Sequence, residues 1–259
     1  MIHRAGPRRK RIADLSAIRA ALEASSSAPA PVLMLCREGD LSAEARELVE
    51  TARERGIAIL VESDREMRRM SSGHVAAELI ALAGSAPDAN LDELMSADGL
   101  VFILAGLRYP GNVGFIVRSA EVAGAAGIVL GTDWKGSQRA EAFRVGMRAD
   151  RFFPVIDAAA DLAIRAARHA GRRIVALETV GDRMLWDADL RVPTAVIIGG
   201  ETTGIDDAIL ASVDELLRIP TLGFIPSYNV QAAAAMVLGE WLRQGSGHAS
   251  THASTPVVP

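Results

Sequence analysis

The feature that most constrains the fold is an alternation of short apolar runs with longer helical segments across residues 99–243. The runs carry no regular polar positions, which is typical of strands covered by helices on both faces of a parallel sheet. We therefore predict an α/β fold with a parallel sheet for this part of the chain. The predicted strands are Gly99–Leu104, Gly127–Leu130, Arg173–Leu177, Ala195–Ile198 and Glu215–Ile219.

The segments between these strands have the length and amphipathic spacing of helices. Strand and helix alternate regularly, so each crossover can return the chain to the same edge of the sheet. The predicted helices are Val113–Ala123, Gln138–Phe143, Ala158–Ala170, Asp206–Ser212 and Val230–Arg243.

A second, smaller α/β unit precedes this region. The stretch 84–94 is rich in turn-forming residues, and we take it as the boundary, with a small domain over 13–90 and a larger one over 96–244. Ser42 is a plausible N-cap. Alternation again predicts a largely parallel sheet. The predicted elements are a helix at Ala13–Ala24, a strand at Val32–Cys36, a helix at Ser42–Arg55, a strand at Ile57–Val61 and a helix at Arg65–Met70.

Basic residues are concentrated in two places, although the formal net charge of the chain is −4. Lysine and arginine clusters bind nucleic-acid phosphates by releasing counterions, but a solvated surface gives the same pattern. A basic arm over 1–12 and a cluster near 144–151 are therefore candidate RNA contacts, whereas the low-complexity stretch 245–259 is expected to be a disordered tail. The candidate residues are Arg8, Arg9, Lys10, Arg11, Arg144, Arg148 and Arg151.

Several classes of protein are excluded by composition. No run approaches the about 20 apolar residues of a membrane span, and no apolar segment follows the basic arm as in a secretory signal. The single cysteine, Cys36, cannot form an internal disulfide and fits a reducing, cytoplasmic compartment. The five histidines are scattered, so we expect no metal site. The dinucleotide-binding fingerprint, the P-loop and the GxSxG elbow are absent.

Three polar patches follow predicted strands, where open α/β sheets bind ligands. The first is PGNVGFIVR at 110–118. Asn112 is a candidate helix N-cap, Gly114 permits close approach of another backbone, and Arg118 is aimed at the strand ends or at an anion. A snorkelling arginine on a helix flank is the structural alternative.

The second patch is IIGGETTG at 197–204, and the third is IPTLGFIPSYNVQAAAA at 219–235. Gly199 and Gly200 expose backbone groups at a strand end, and Glu201 is either a site residue or a charge that favours a helix start. Ser227 and Asn229 are both capping residues before an alanine-rich helix that can pack closely on another chain or a ligand. A tight turn and a capped packing helix are the structural alternatives.

The order of the three patches, PxNxGxxxR, GGExxG and IPxxGxxxSxNVxxA, resembles the SpoU (TrmH) branch of the SPOUT RNA methyltransferases over residues 98–243. The resemblance implies a C-terminal trefoil knot, which is a rare exception to the rule against knotted chains. It also implies a small ribosomal-protein-like RNA-binding domain before the knot, a homodimer with the site at the subunit interface, and methyl transfer from S-adenosylmethionine to a ribose 2′-hydroxyl of rRNA or tRNA.

The same resemblance assigns site residues. Arg118 matches the family's essential arginine, and its polar partners match Asn112, Glu201, Ser227 and Asn229. We expect Arg118 to bind the target and stabilise the developing alkoxide, because a guanidinium hardly ever loses its proton. The implied cofactor-binding residues are Leu177, Glu178, Thr179, Gly199, Gly200, Glu201, Ile219, Leu222, Ser227, Asn229 and Ala232.

Two positions depart from the family pattern. Tyr228 stands where leucine is commoner, and Val145 stands where members often have serine before glycine. Two alternative functions stay open from the residues: a SPOUT-fold enzyme that methylates a base, and a non-catalytic RNA-binding protein that keeps the fold.

Overall fold

Two β-sheets organise the chain in the computed structural model, which describes residues 10–24, 30–71 and 75–246. The first sheet has four strands in the order β1-β4-β2-β3. Its strands are β1 (Lys10–Ile12), β2 (Pro31–Arg37), β3 (Ala58–Glu62) and β4 (Leu79–Ala83), and its helices are α1 (Leu15–Glu23), α2 (Ala43–Glu54) and α3 (Asp64–Met70). Ser42 caps α2 as predicted, since its side chain accepts a hydrogen bond from the amide of Ala45.

The prediction of a largely parallel first sheet is wrong. Only β2 and β3 are parallel, whereas β4 runs antiparallel to both β1 and β2. The sequence analysis missed β1 and β4. The first is three residues long and lies in the basic arm, and the second is a short apolar run close to the turn-rich boundary stretch.

The second sheet has seven strands in the order β7-β6-β5-β10-β8-β11-β9, and every neighbouring pair is parallel, as predicted. Its strands are β5 (Leu100–Ala105), β6 (Gly127–Gly131), β7 (Val155–Asp157), β8 (Arg173–Leu177), β9 (Arg183–Met184), β10 (Thr194–Gly199) and β11 (Glu215–Arg218). The helices are α4 (Leu91–Ser96), α5 (Pro110–Ala123), α6 (Gly136–Val145), α7 (Ala160–His169), α8 (Asp207–Leu210) and α9 (Val230–Ser246).

Both faces of this sheet are buried, which explains the unbroken apolar strands. Phe102 and Leu104 of β5 face one core with residues of α5 and α9, whereas Val101 and Ile103 face the other with residues of α4 and α7. Alternate side chains of a strand point to opposite faces, so every residue of β5 needs an apolar side chain.

A buried arginine fastens the connection between the sheets. The boundary stretch ends in a helix rather than a loop, because Asn90 and Glu93 form a capping box that starts α4. Around the C-terminal end of α4, the guanidinium of Arg172 donates to five carbonyl oxygens, those of Leu94, Met95, Ala97, Gly99 and Thr194. Burial lowers the pKa of Arg172 to about 10, so it stays protonated at neutral pH.

A glycine contact fixes α5 against α6. A Cβ at Gly114 would lie 2.3 Å from the carbonyl oxygen of Ala142 and 3.0 Å from the amide nitrogen of Gly146. The close approach predicted for Gly114 is therefore confirmed. The contact places the turn that follows α6 beside the helix that carries the first patch.

Within the described ranges, no helix combines the length and the apolar character needed to cross a membrane. In the same residues, no three histidine, cysteine, aspartate or glutamate side chains are grouped as a metal ion would require.

Candidate functional site

A cavity of about 520 Å³ opens where β8, β10 and β11 end, and it gathers residues from all three patches. The carboxyl ends of parallel strands meet at one edge of a sheet, so segments far apart in sequence become neighbours. The lining residues that the sequence predicted are Asn112, Leu177, Glu178, Thr179, Gly199, Gly200, Glu201, Ile219, Ser227 and Asn229.

Glu201 joins the patches through hydrogen bonds. Its Oε2 accepts from the backbone amide of Arg108 at 2.9 Å, and its Oε1 accepts from Nδ2 of Asn112 at 2.8 Å. Asn229 Nδ2 in turn donates to Asn112 Oδ1 at 3.3 Å. One chain of polar contacts therefore runs from the second patch through the first to the third.

Asn112 is not the N-cap that the sequence analysis predicted. Tyr109 occupies the cap position, and Asn112 is the third residue of α5. Pro110 explains the shift, because its fixed backbone angle favours the first position of a helix. The side chain of Asn112 is thereby released from capping and can reach Glu201.

The environment of Glu201 keeps its carboxylate charged. Burial acts to raise its pKa, but the hydrogen bonds from the Arg108 amide, the Asn112 side chain and the Tyr109 amide outweigh burial and hold the pKa below the ordinary 4.5. A carboxylate that stays ionised can only accept hydrogen bonds, so it fixes the orientation of the Asn112 amide group.

Replacing Glu201 by glutamine should weaken this network. The amide group of Glu201→Gln would face one of the two N–H donors, and we expect about 1–2 kcal/mol of lost stability at neutral pH. Because the folded pKa of Glu201 is lowered, its stabilisation is full at neutral pH and is lost as the pH falls from 4.5 through the folded pKa. Thermal unfolding midpoints of both proteins should therefore differ at neutral pH and converge in acid; a constant difference would contradict this account.

The second patch forms a tight loop that excludes side chains. The amides and carbonyls of Gly200 and Gly204 bond each other at 3.1 and 3.0 Å. A Cβ at Gly199 would lie 2.3 Å from the carbonyl carbon of Gly204, and one at Gly200 would lie 2.5 Å from the carbonyl oxygen of Gly106. Backbone groups rather than side chains therefore form this wall of the cavity.

The third patch closes the opposite wall. Asn229 accepts from the amide of Gln231 at 2.9 Å at the start of α9, and Tyr228 Oη donates to the carbonyl oxygen of Pro220 at 3.2 Å. The tyrosine that departs from the family pattern thus ties the two ends of the loop 220–228 together.

Two predicted cofactor residues do not line the cavity. Leu222 is fully exposed at the outside of the loop. Ala232 does not line the cavity, but its neighbours Val230 and Ala233 do. These two residues are three apart and share one face of α9, whereas Ala232 lies about 100° around the helix from Ala233.

Arg118 also lies outside the cavity lining. It follows Asn112 by six residues, about one and two-thirds turns of α5, so the two side chains leave different faces of the helix. Its side chain is exposed, and within the described chain it has no hydrogen bond or ion pair.

The candidate RNA contacts fall in different surroundings. Arg8 and Arg9 lie outside the described residues. Lys10 and Arg11 lie in β1 and line a separate cleft of about 240 Å³ that the end of α5 completes. Arg144 and Arg148 are exposed, and Arg148 has a left-handed backbone, with φ of 55°.

Arg151 differs from the other candidates because it pairs with a buried acid. Its guanidinium lies 2.6 Å from Oε1 of Glu62, whose side chain is 6% exposed. This ion pair joins the first sheet to the segment after α6. The charge of Arg151 is therefore compensated by Glu62 within the protein.

The sequence analysis missed part of the lining, because the patterns of the second and third patches do not show which of their residues face the cavity. Tyr109 had one available signal, since an aromatic residue directly before the first patch is expected to lie near the strand ends with it. The missed residues are Tyr109, Ile198, Thr202, Gly204 and Ala233.

Comparison with known proteins gives a consistent result. Residues 99–239 match the model of the SpoU rRNA Methylase family. An uncharacterized tRNA/rRNA methyltransferase of Mycolicibacterium gilvum (strain PYR-GCK) is 30% identical over 83% of this chain and 71% of its own. The crystal structure of an RNA 2′-O ribose methyltransferase is 26% identical, with a TM-score of 0.52 over 92% of this chain and 89% of that one. The fold is shared by the AdoMet complex of the SpoU methyltransferase AviRb from Streptomyces viridochromogenes, with 24% identity, a TM-score of 0.54 and coverage of 92% and 90%.

Proposed function

This chain belongs to the SpoU rRNA methylase family, and from that membership we propose that it methylates the ribose 2′-hydroxyl of an rRNA or tRNA. As an RNA methyltransferase of this family, it uses S-adenosylmethionine as methyl donor. The observation that carries the proposal is the hydrogen-bonded chain Glu201–Asn112–Asn229 at the edge of a cavity with glycine walls.

The glycine-walled side of the cavity fits the methyl donor. S-adenosylmethionine supplies an electrophilic methyl group on a sulfonium and, beyond it, an amino acid and a nucleoside rich in hydrogen-bonding groups. Backbone groups at Leu177–Thr179 and Gly199–Glu201 can bind these groups, because the absent side chains of Gly199 and Gly200 let the loop pack closely on Gly204 and Gly106. Ser227 and Ile219 line the same cavity from the third patch.

The side of the cavity formed by α5 faces the RNA in this proposal. Asn112 and Asn229 orient the target ribose, and Glu201 fixes Asn112 through its ionised carboxylate. Arg118 binds the target and stabilises negative charge on the attacking oxygen, since its guanidinium keeps its protons.

A homodimer explains why Arg118 lies outside the cavity of its own chain. Large apolar side chains are exposed on α5, on α9 and on the loop beside the cavity, and a dimer interface would cover exposed apolar side chains of this kind. The dimer brings Arg118 of one copy to the cavity of the other. The exposed residues are Phe115, Leu222, Phe224, Ile225 and Met236.

The knot and the division into domains are part of the same proposal. A Cβ at Gly181 would lie 2.5 Å from the carbonyl carbon of Leu217, so the segment after β8 lies in backbone contact with β11, an arrangement that a knot can contain. The RNA-binding domain proposed over 13–90 would hold three strands of the four-stranded sheet, whose β1 comes from the basic arm, and the knotted domain would cover 96–244. The cytoplasmic location stays a prediction.

Arg144 and Arg148 are proposed to hold the RNA backbone. We expect Arg144→Glu and Arg148→Glu each to weaken RNA binding and to lower the slope of log affinity against log salt by about 1. Filter binding at several salt concentrations measures both. Arg165→Glu on α7 is a matched control, because Arg165 is also exposed but pairs with Asp161. Equal slopes for the Arg144 variant and the control would contradict the assignment.

Transfer of a labelled methyl group from S-adenosylmethionine to unmodified rRNA and tRNA transcripts tests the proposal. We expect label in one class of RNA and none in DNA of the same sequence, which lacks the 2′-hydroxyl. Label in the DNA would indicate base methylation, and an absence of transfer to every transcript would favour the non-catalytic alternative.

A further inference from the structure

The chain has only two tyrosines, and both line the candidate active site. Tyr109 and Tyr228 are 58% and 44% exposed. They flank the hydrogen bond between Asn112 and Asn229, because Tyr109 lies one turn before Asn112 and Tyr228 directly precedes Asn229. Tyr228 is held at the loop by its hydroxyl, whereas Tyr109 has no comparable tie from its side chain within the described residues.

Tyr109 breaks a local rule of helix formation. It occupies the N-cap of α5 and makes no side-chain capping hydrogen bond. Serine, threonine, aspartate or asparagine at this position would stabilise the helix by accepting a bond from a free amide. Local preferences of this kind are expected to fail at functional sites, so an exposed aromatic ring here indicates use by a ligand.

The backbone that carries Tyr109 is held from three sides. Leu107 is buried, and its carbonyl oxygen accepts from Trp134 Nε1 at 3.0 Å. The amide of Gly106 donates to the carbonyl of Gly131 at 2.8 Å, and the amide of Arg108 donates to Glu201. Because the backbone is fixed, only the two side-chain torsions of Tyr109 have to be ordered when a ligand packs on its ring.

We propose that Tyr109 is the platform on which the base of the target nucleotide stacks, so that the attached ribose lies beside Asn112. This inference rests on the proposed function, which makes an RNA nucleotide the acceptor. Unstacked RNA bases are commonly recognised by aromatic side chains, and such stacking contributes about 1–3 kcal/mol per base, or about 5- to 150-fold in affinity. Tyr109 belongs to the α5 side of the cavity, and its backbone amide bonds Glu201 at the end of the glycine loop, so only its ring is left for the RNA.

Ring chemistry at position 109 tests the proposal. With whichever unmodified rRNA or tRNA transcript the wild-type protein methylates, Tyr109→Leu and Tyr109→Ala should lower kcat/KM by about 10- to 100-fold, mainly through KM. Tyr109→Phe and Tyr109→Trp should stay within about threefold, because they keep the stacking face. Affinity for S-adenosylmethionine should be unchanged throughout. Trp186→Ala, at an exposed aromatic outside the cavity lining, is the control.

Binding gives a second readout that does not need catalysis. The fluorescence of Tyr109→Trp, after subtraction of the wild-type signal, should be quenched when rRNA or tRNA transcripts saturate the protein in filter binding. Unchanged fluorescence at saturation, equal activity of the Leu and Phe variants, or a parallel loss of S-adenosylmethionine affinity would each overturn the stacking role. If the wild-type product carries the methyl group on a base, the proposed 2′-O function fails. The stacking role of Tyr109 is then still tested by comparing kcat/KM among the four Tyr109 variants.

Discussion

Arg118→Ala should reduce methyl transfer by about 10²- to 10³-fold or more while leaving affinity for S-adenosylmethionine within about twofold. The expected loss is large because a preorganised cation acts on charge that develops only in the transition state. Cofactor binding should be unaffected, because Arg118 does not line the cavity of its own chain and is proposed to act on the RNA side of the other copy's cavity. Single-turnover transfer and calorimetric titration of the cofactor measure the two quantities separately.

Arg118→Lys separates the contribution of the positive charge of Arg118 from that of its planar guanidinium group. It keeps a cation but loses the planar guanidinium fork, so we expect partial recovery of transfer relative to the alanine variant. Arg165→Ala is a control for removing an exposed arginine, and it should leave transfer unchanged. Turnover of Arg118→Ala at the wild-type rate would remove Arg118 from the mechanism.

Gly199→Ala should abolish binding of S-adenosylmethionine and therefore methyl transfer. The new methyl group would lie 2.3 Å from the carbonyl carbon of Gly204 and 2.6 Å from the amide nitrogen of Ile205, and both are backbone atoms that cannot rotate away. The loop 199–204 must open, and the backbone wall of the cavity is lost. Calorimetric titration of the cofactor is the measurement, accompanied by a thermal melt to show that the variant is folded.

Gly136→Ala is the matched control for this change, because a Cβ at Gly136 meets no atom within 4 Å. It should bind the cofactor like the wild-type protein. Normal cofactor affinity in Gly199→Ala would contradict the glycine-walled donor site. Loss of folding in Gly199→Ala would instead be visible in the melt, and Gly200→Ala, which meets Gly106 rather than Gly204, then serves as the second variant.

The two variants together test the dimer. In a mixed dimer, the Arg118→Ala copy has an intact donor cavity, and the Gly199→Ala copy supplies the missing arginine. Random mixing of equal amounts makes half of the dimers mixed with one competent site each, so about one quarter of wild-type activity should return. If Arg118 served its own cavity, no activity would return.

The sequence predicts the features of the fold that follow from the local pattern of residues, and it misses those that depend on contacts between distant segments. The parallel sheet was predictable because β5 is apolar at every position and its neighbours β6 and β10 are nearly so, as burial on both faces requires. The meeting of the three patches followed from the same sheet, since each patch comes after a strand. The antiparallel β4 was not predictable, because its pairing with β1 and β2 is set by tertiary contacts rather than by its own five residues.

Within the site, local rules failed where tertiary contacts decide. Asn112 is a residue type that often caps helices, but Pro110 starts α5 two residues earlier. The side-chain amide of Asn112 instead donates to Glu201, which is 89 residues away in sequence. Ala232 was assigned from a motif, whereas the helical phase of α9 turns Val230 and Ala233 to the cavity instead. Arg118 matched its motif, but the face of α5 on which it lies follows only from where the helix packs.

The most direct test of the central claim is the position of the transferred methyl group on the product nucleoside. RNA methylated by the wild-type protein can be digested to nucleosides and fragmented in a mass spectrometer, which separates the base from the sugar. We predict that the methyl group stays with the ribose and that the adjacent phosphodiester resists alkali. A methyl group on the base, with an alkali-sensitive linkage, would contradict the account.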